Sequence, residues 1–151
     1  KCQACLDLGA DHAINYKVER FEERVLAITQ QRGVDVILDM VAGSYVARDI
    51  KCLADDGRIV IIALLGGSKG ELDFSQILRR RLQITGSTLR PRDLNFKAQI
   101  AQRLRERVWP LLQAKKIKPV IYRSFALADA VMAHQLMEEG EHIGKIMLSV
   151  D

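Results

Sequence analysis

The chain has 151 residues, 48% of them hydrophobic, 28% charged and 5% aromatic, proportions that exclude a disordered, fibrous or membrane-embedded class. A chain of this length can build one sizeable core without a disulfide or metal staple. Its 23 basic and 19 acidic residues leave a net charge of +4, spread along the chain with few aromatics between, so nucleic acid is not expected as a partner.

In chain order, Cys2, Cys5, Leu6 and Leu8 recur at helical spacing, and Gly9 stands where a C-terminal glycine belongs. Residues 12–16 read as a short strand and 21–31 as a helix with Phe21, Val25 and Ile28 on one face. The run 34–41, VDVILDMV, is apolar at nearly every position, as in strands covered on both faces. A helix over 45–53, a turn at Asp55-Asp56-Gly57 and a second buried strand over 58–65 follow. Glycines 66, 67 and 70 then break the chain. A short helix at 74–80 leads to a strand at 82–87. Strands alternating with helices over short connections are βαβ units, which predicts a parallel sheet with helices on both faces. The last third reads as a long helix over 94–114, kinked or divided at Pro110, a strand over 118–125, a helix over 127–139 and a closing strand over 145–150.

Several motifs carry competing readings. Cys2-x-x-Cys5 has the spacing of a redox pair but lacks the preceding strand, so packing of small residues is the better account. One CxxC with a distant Cys52 and scattered His12, His134 and His142 has no metal-ligand spacing, and no metal site is expected. Three cysteines without framework spacing point to a reducing, cytoplasmic compartment. No apolar run approaches the roughly 20 residues needed to span a bilayer, so no membrane association is expected. Gly66-Gly67-Ser68-Lys69-Gly70 does not meet the phosphate-loop order and reads as a flexible turn. Its place still matters, because ligands of doubly wound sheets bind at the carboxyl ends of strands. His134 reads as half-buried packing. Asp39 is either functionally placed or a cap for the next helix. No nucleophile, acid and base trio can be assembled, and no catalytic residue is assigned.

The ordered set LDLGADHAINYK (6–17), VDVILDMVAG (34–43), DDGRIVIIALLGG (55–67), LRPRD (89–93) and IGKIMLSV (143–150) resembles the medium-chain dehydrogenase/reductase superfamily. It is most similar to the zinc-independent NADPH:quinone oxidoreductase branch, over essentially the whole chain. The first residue is Lys1 and not Met, and the resemblance implies a C-terminal fragment. The implied fold is α/β: a partial doubly wound Rossmann-type parallel sheet, third to sixth strands, plus a C-terminal segment that returns to the catalytic domain. Residues 1–114 would belong to the NADP-binding domain and 115–151 would pack toward a GroES-like catalytic domain. The resemblance further implies that Lys1 and Tyr16 hold the 2′-phosphate of NADPH, a cationic amine and a phenol suited to a dianion. Val41 and Ala42 match the turn beside the cofactor, where the family commonly has glycine at the second place, so Ala42 is expected to narrow the backbone approach. Ala63, Leu64 and Leu65 match the strand end facing the nicotinamide carboxamide. Thr88, Leu89 and Arg90 match the loop near the nicotinamide, and Lys145 is similar to a cofactor-side residue of the tail.

The reaction implied is hydride transfer from NADPH to a quinone or similar activated carbonyl or alkene, in a homodimer joined through the edge strand near 82–87. The alternatives are an enoyl reductase or a zinc-dependent alcohol dehydrogenase of the same superfamily. From another class comes a catalytically incomplete binding or dimerisation module.

Overall fold

The computed structural model of the chain describes residues 1–150. Along it run α1 (Cys2–Asp7), α2 (Phe21–Ile28), β1 (Val34–Asp39), α3 (Tyr45–Cys52), β2 (Leu53–Ile61), α4 (Phe74–Arg80) and β3 (Gln83–Gly86). Then come α5 (Leu94–Arg107), α6 (Trp109–Gln113), β4 (Ile121–Ala126), a 3-10 turn (Leu127–Asp129), α7 (Ala130–Glu139) and β5 (Lys145–Ser149). Two compact units divide the chain: His12–Arg92 forms one, and Lys1–Asp11 joins the stretch from Asp93 onward in the other.

In the first unit β1, β2 and β3 form a parallel sheet in that order, with α3 and α4 as crossovers. It is a partial sheet of the doubly wound type. The β-branched and apolar runs form strands because their side chains pack on a pleated surface. Ala42, Val46, Ile50, Leu53, Ile59 and Leu82 make the buried cluster, ringed by Ile37, Ile61, Leu72, Ile77 and Ile84. Helix α3 turns Val46, Asp49 and Ile50 inward. Helix α2 is fastened to α3 by one buried acid: Glu22 Oε2 accepts from Arg48 Nη2 at 2.8 Å and Nε at 3.2 Å, and Oε1 accepts from Arg20 Nη2 at 3.0 Å. The Arg48 guanidinium lies 4.3 Å from the Phe21 ring centre and 4.9 Å from that of Tyr45.

Several expectations are corrected here. Residues 12–16 form no strand, because a strand needs a ladder and no described residue pairs with them. Strand β2 begins at Leu53, so Asp55-Asp56-Gly57 lies inside it as a bulge opposite β1, with Asp56 at φ +62. It also ends at Ile61, paired with the last residue of β1, and 62–65 leave the sheet as a loop. The run at 34–41 is not covered on both faces: Val36 and Leu38 remain 56% and 63% exposed.

In the second unit β4 and β5 pair in parallel, bridged by α7, a βαβ arrangement. Gly140 closes α7 in the left-handed conformation, and Lys1 Nζ donates to the Gly140 carbonyl. The expected division at Pro110 is found: Val108 ends α5, and α6 follows with the proline in its first turn, where its missing N–H costs nothing. His134 is exposed on α7 and not half-buried. Among the described residues no helix is long and apolar enough to cross a membrane.

Candidate functional site

The carboxyl ends of the three parallel strands lie along one edge of the first unit, and each ends in a loop carrying residues singled out from the sequence. After β1, the Asp39 side chain is buried and organises the turn: Oδ1 accepts from the backbone N–H of Val41 at 2.6 Å and of Ala42 at 3.0 Å, and Oδ2 accepts from Ala42 at 2.9 Å. Asp39 does not cap the next helix, as one reading expected: α3 has Ser44 at its N-cap with no side-chain bond, and Asp39 caps the turn before it instead. These bonds hold Ala42 at φ +58, a left-handed conformation disfavoured for a residue with a Cβ. Ala42 is 3% exposed and its methyl belongs to the core cluster, so it does not narrow the edge from outside.

The loop after β2 is laced onto that turn. Ile62 N–H donates to the Asp39 carbonyl at 2.8 Å, Leu65 to Met40 at 3.2 Å and Gly66 to Val41 at 2.6 Å. Glycines make the approach possible: a Cβ on Gly43, itself at φ +57, would strike the Gly66 carbonyl, and one on Gly70 would strike that of Gly43. Ala63 is half-buried, whereas Leu64 and Leu65 are 56% and 78% exposed. After β3, Ser87 N–H donates to the Ile61 carbonyl at 2.9 Å, and Thr88, Leu89 and Arg90 follow on an exposed turn. A shallow cavity of about 200 Å³ beside these loops is lined by Ala42, Gly43, Leu64, Ser68 and Lys69 among others. A larger one, about 340 Å³, lies between α3 and α4 and holds none of the expected residues.

The structure therefore brings Val41, Ala42, Ala63, Leu64 and Leu65 together and sets Thr88, Leu89 and Arg90 on the adjacent strand's loop. It does not tie Tyr16, exposed in a turn before α2, to that edge by any contact. Lys1 and Lys145 belong to the other unit, where Lys145 is exposed at the start of β5. Reasoning from sequence missed Asp49. It is 6% exposed on the sheet-facing side of α3, and burial, with the Asp39 charge second, pushes its carboxyl up to about 6. The only hint was an acid in phase with Val46 and Ile50. Burial likewise pushes the Cys52 thiol up to about 12, which makes it an inert packing group. Among the described residues no three His, Cys, Asp or Glu side chains gather as metal ligands.

A parallel α/β sheet with these crossovers is part of a Rossmann-type fold. The chain belongs to the zinc-binding dehydrogenase family, whose model matches residues 8–148, within the medium-chain dehydrogenase/reductase superfamily. It is 28% identical over 151 residues to quinone oxidoreductase-like protein 2 of Bos taurus, covering 99% of this chain and 43% of that protein. It is 32% identical over 146 residues to a phenolphthiocerol/phthiocerol polyketide synthase of Mycobacterium tuberculosis, covering 95% of this chain and 6% of that protein. Among solved structures, an NAD-dependent alcohol dehydrogenase superposes with a TM-score of 0.76 at 31% identity, over 100% of this chain and 41% of its own. The chain thus spans less than half the length of each.

Proposed function

We propose that the chain is the C-terminal, cofactor-holding part of a longer oxidoreductase that transfers a hydride from NADPH to a quinone or another activated carbonyl or alkene. The observation that carries this reading is the locked pair of loops at the ends of β1 and β2 in a chain of a dehydrogenase family. A nicotinamide dinucleotide suits that edge: glycines 43 and 66 let the two loops pack closely, and exposed Leu64 and Leu65 offer apolar surface to a planar ring. The cofactor, when bound, supplies the hydride. The chain's own part is to orient and to exclude water, with Val41, Ala42, Ala63, Leu64 and Leu65 at the strand ends and Thr88, Leu89 and Arg90 beside them. Lys1 and Tyr16 are assigned to the 2′-phosphate and Lys145 to the cofactor side. No acid–base residue and no metal ligand is assigned, so zinc chemistry would need ligands from outside this chain.

Further parts of the reading are that residues 1–114 serve the nucleotide domain and 115–151 pack toward a catalytic domain. We also place the protein in the cytoplasm as a homodimer paired along β3, one of the two edge strands of the sheet. A second reading, an enoyl-type reductase, is favoured by the 32% identity to a polyketide synthase. The test is NADPH oxidation by the longer protein with a simple quinone and with an α,β-unsaturated thioester. Faster turnover with the quinone, and little with NADH, is expected. Turnover with neither acceptor, nor with alkenals or alcohols, would overturn the proposal. Lys1→Glu should lower the NADPH/NADH preference at least tenfold, and an unchanged ratio would remove Lys1 from the 2′-phosphate site.

A further inference from the structure

We propose that the cavity beside the strand ends is a subsite for an acceptor with an apolar body and one anionic group, which the Lys69 ammonium holds. The substrate class rests on the function proposed above; the binding of an organic anion in the cavity does not.

The cavity, about 200 Å³, lies within the first unit, and its walls divide by chemistry. Val46, Ile61, Leu72 and Ile84 line it with aliphatic side chains, the first buried and the other three only half-buried. Opposite in character is the loop after β2, which contributes the Ser68 hydroxyl and the Lys69 ammonium. Among the described residues no carboxylate lines the cavity, and Lys69 forms no ion pair, although Glu71 follows two residues on. An apolar hollow with a single cation selects its occupant. An apolar body covers the aliphatic side chains, and a negative group on it meets the ammonium and the hydroxyl. A neutral ligand would crowd Lys69 without pairing it, and a cationic one would be repelled.

The loop that carries Lys69 is fastened on both sides. Before it, Gly66 N–H donates to the Val41 carbonyl at 2.6 Å and Gly67 N–H to the Leu64 carbonyl at 3.1 Å. After it, Gly70 lies so close to Gly43 that a Cβ there would strike the Gly43 carbonyl. Ser68 and Lys69 span the short gap between these fixed points, so little backbone freedom is lost when a ligand binds. Leu64 joins this cavity to the edge assigned to the cofactor, because it belongs to both. An acceptor held by Lys69 therefore lies beside the proposed hydride donor.

The test uses the longer protein with NADPH and two acceptors of one ring system, a naphthoquinone sulfonate and an unsubstituted naphthoquinone. We expect Lys69→Gln to lower the ratio of kcat/KM for the sulfonate to that for the neutral quinone at least threefold, through KM, and Lys69→Arg to keep most of it. Lys51→Gln removes another exposed cation of the same unit and should leave the ratio as it is. Equal falls in Lys69→Gln and Lys51→Gln would assign the preference to net charge and overturn the proposal. A ratio that Lys69→Gln does not move, or a raised KM for NADPH in its place, would also overturn it. Binding is read separately by NMR of the isoleucine methyl groups. Naphthalenesulfonate should shift Ile61 and Ile84, and naphthalenesulfonamide, its neutral counterpart, should bind at least threefold more weakly. Equal binding of the two, or binding of neither, would overturn the site. The expected methyl shifts in a protein that reduces neither quinone would keep the site and remove the proposed function.

Discussion

Glu22 and Asp49 are both buried acids on helices of the same unit, yet their surroundings push them in opposite directions. Hydrogen bonding to Arg48 foremost, then the backbone and Arg20, holds the Glu22 carboxyl down at about 2, from an ordinary value near 4.5. Folding therefore releases a proton at Glu22, and its contribution is fully present above about pH 4.5 and lost as pH falls toward 2. Asp49 works the other way: the folded chain keeps a proton that the unfolded chain has given up above about 3.8, so stability declines as pH rises from about 4 to about 6 and stays lower above. The sum of the two limbs puts the maximum from this pair near pH 4–5. Urea titrations at pH 3, 5 and 8 should show it. Glu22→Gln should cost about 2 kcal/mol at pH 5 and little at pH 2, because a shift of this size is worth a few kcal/mol. Asp49→Asn should add about 2 kcal/mol at pH 8 and nothing at pH 3. A chain whose stability rises steadily from pH 5 to 8 would contradict both the burial and the pairing described.

At the scale of elements, the loops after β1 and β2 depend on backbone contact more than on side chains. Gly43→Ala combines a disfavoured φ with a methyl placed against the Gly66 carbonyl, and should cost about 2–4 kcal/mol in a thermal or urea unfolding curve. Gly70→Ala meets only the Gly43 carbonyl, without the positive φ, and should cost less. Equal and negligible losses would mean that the loops are not locked. The sequence made the alternation of strands and helices legible because apolar period and turn residues are local signals. Residues 74–80 matched their helix, where Asp73 caps the first turn by accepting from Ser75 N–H at 2.9 Å. What local signals cannot encode is partnership. The segment 12–16 has the composition of a strand and no ladder, and Asp55-Asp56-Gly57 has the composition of a turn but is absorbed into β2 as a bulge. The site divided in the same way. Val41 to Leu65 could be located because they follow strand ends, whereas the burial of Asp49 depends on how α3 lies over the sheet, which no spacing in the sequence states.

At the scale of the molecule, much apolar surface is left open, and its distribution distinguishes two kinds of edge. On β1 the exposed Val36 and Leu38 belong to a face as well as an edge, so covering them calls for a layer of structure and not merely a strand. On β3 the open side is an edge alone. Ser87 N–H points to the Ile61 carbonyl of β2, so by strand alternation Ile84 and Gly86 turn their backbone groups outward, free for a second copy. Gly86 is the place to test this, because a Cβ there has its nearest neighbour, the Ile61 carbonyl oxygen, at 3.8 Å. Gly86→Pro removes an outward N–H while leaving the ladder to β2 in place. If copies pair along β3 as proposed, light scattering should show a dimer for the native chain and a monomer for Gly86→Pro, with circular dichroism unchanged. A dimer that survives the proline would move the contact away from β3. A native chain that is monomeric at high concentration would show that the β3 edge alone does not hold two copies together.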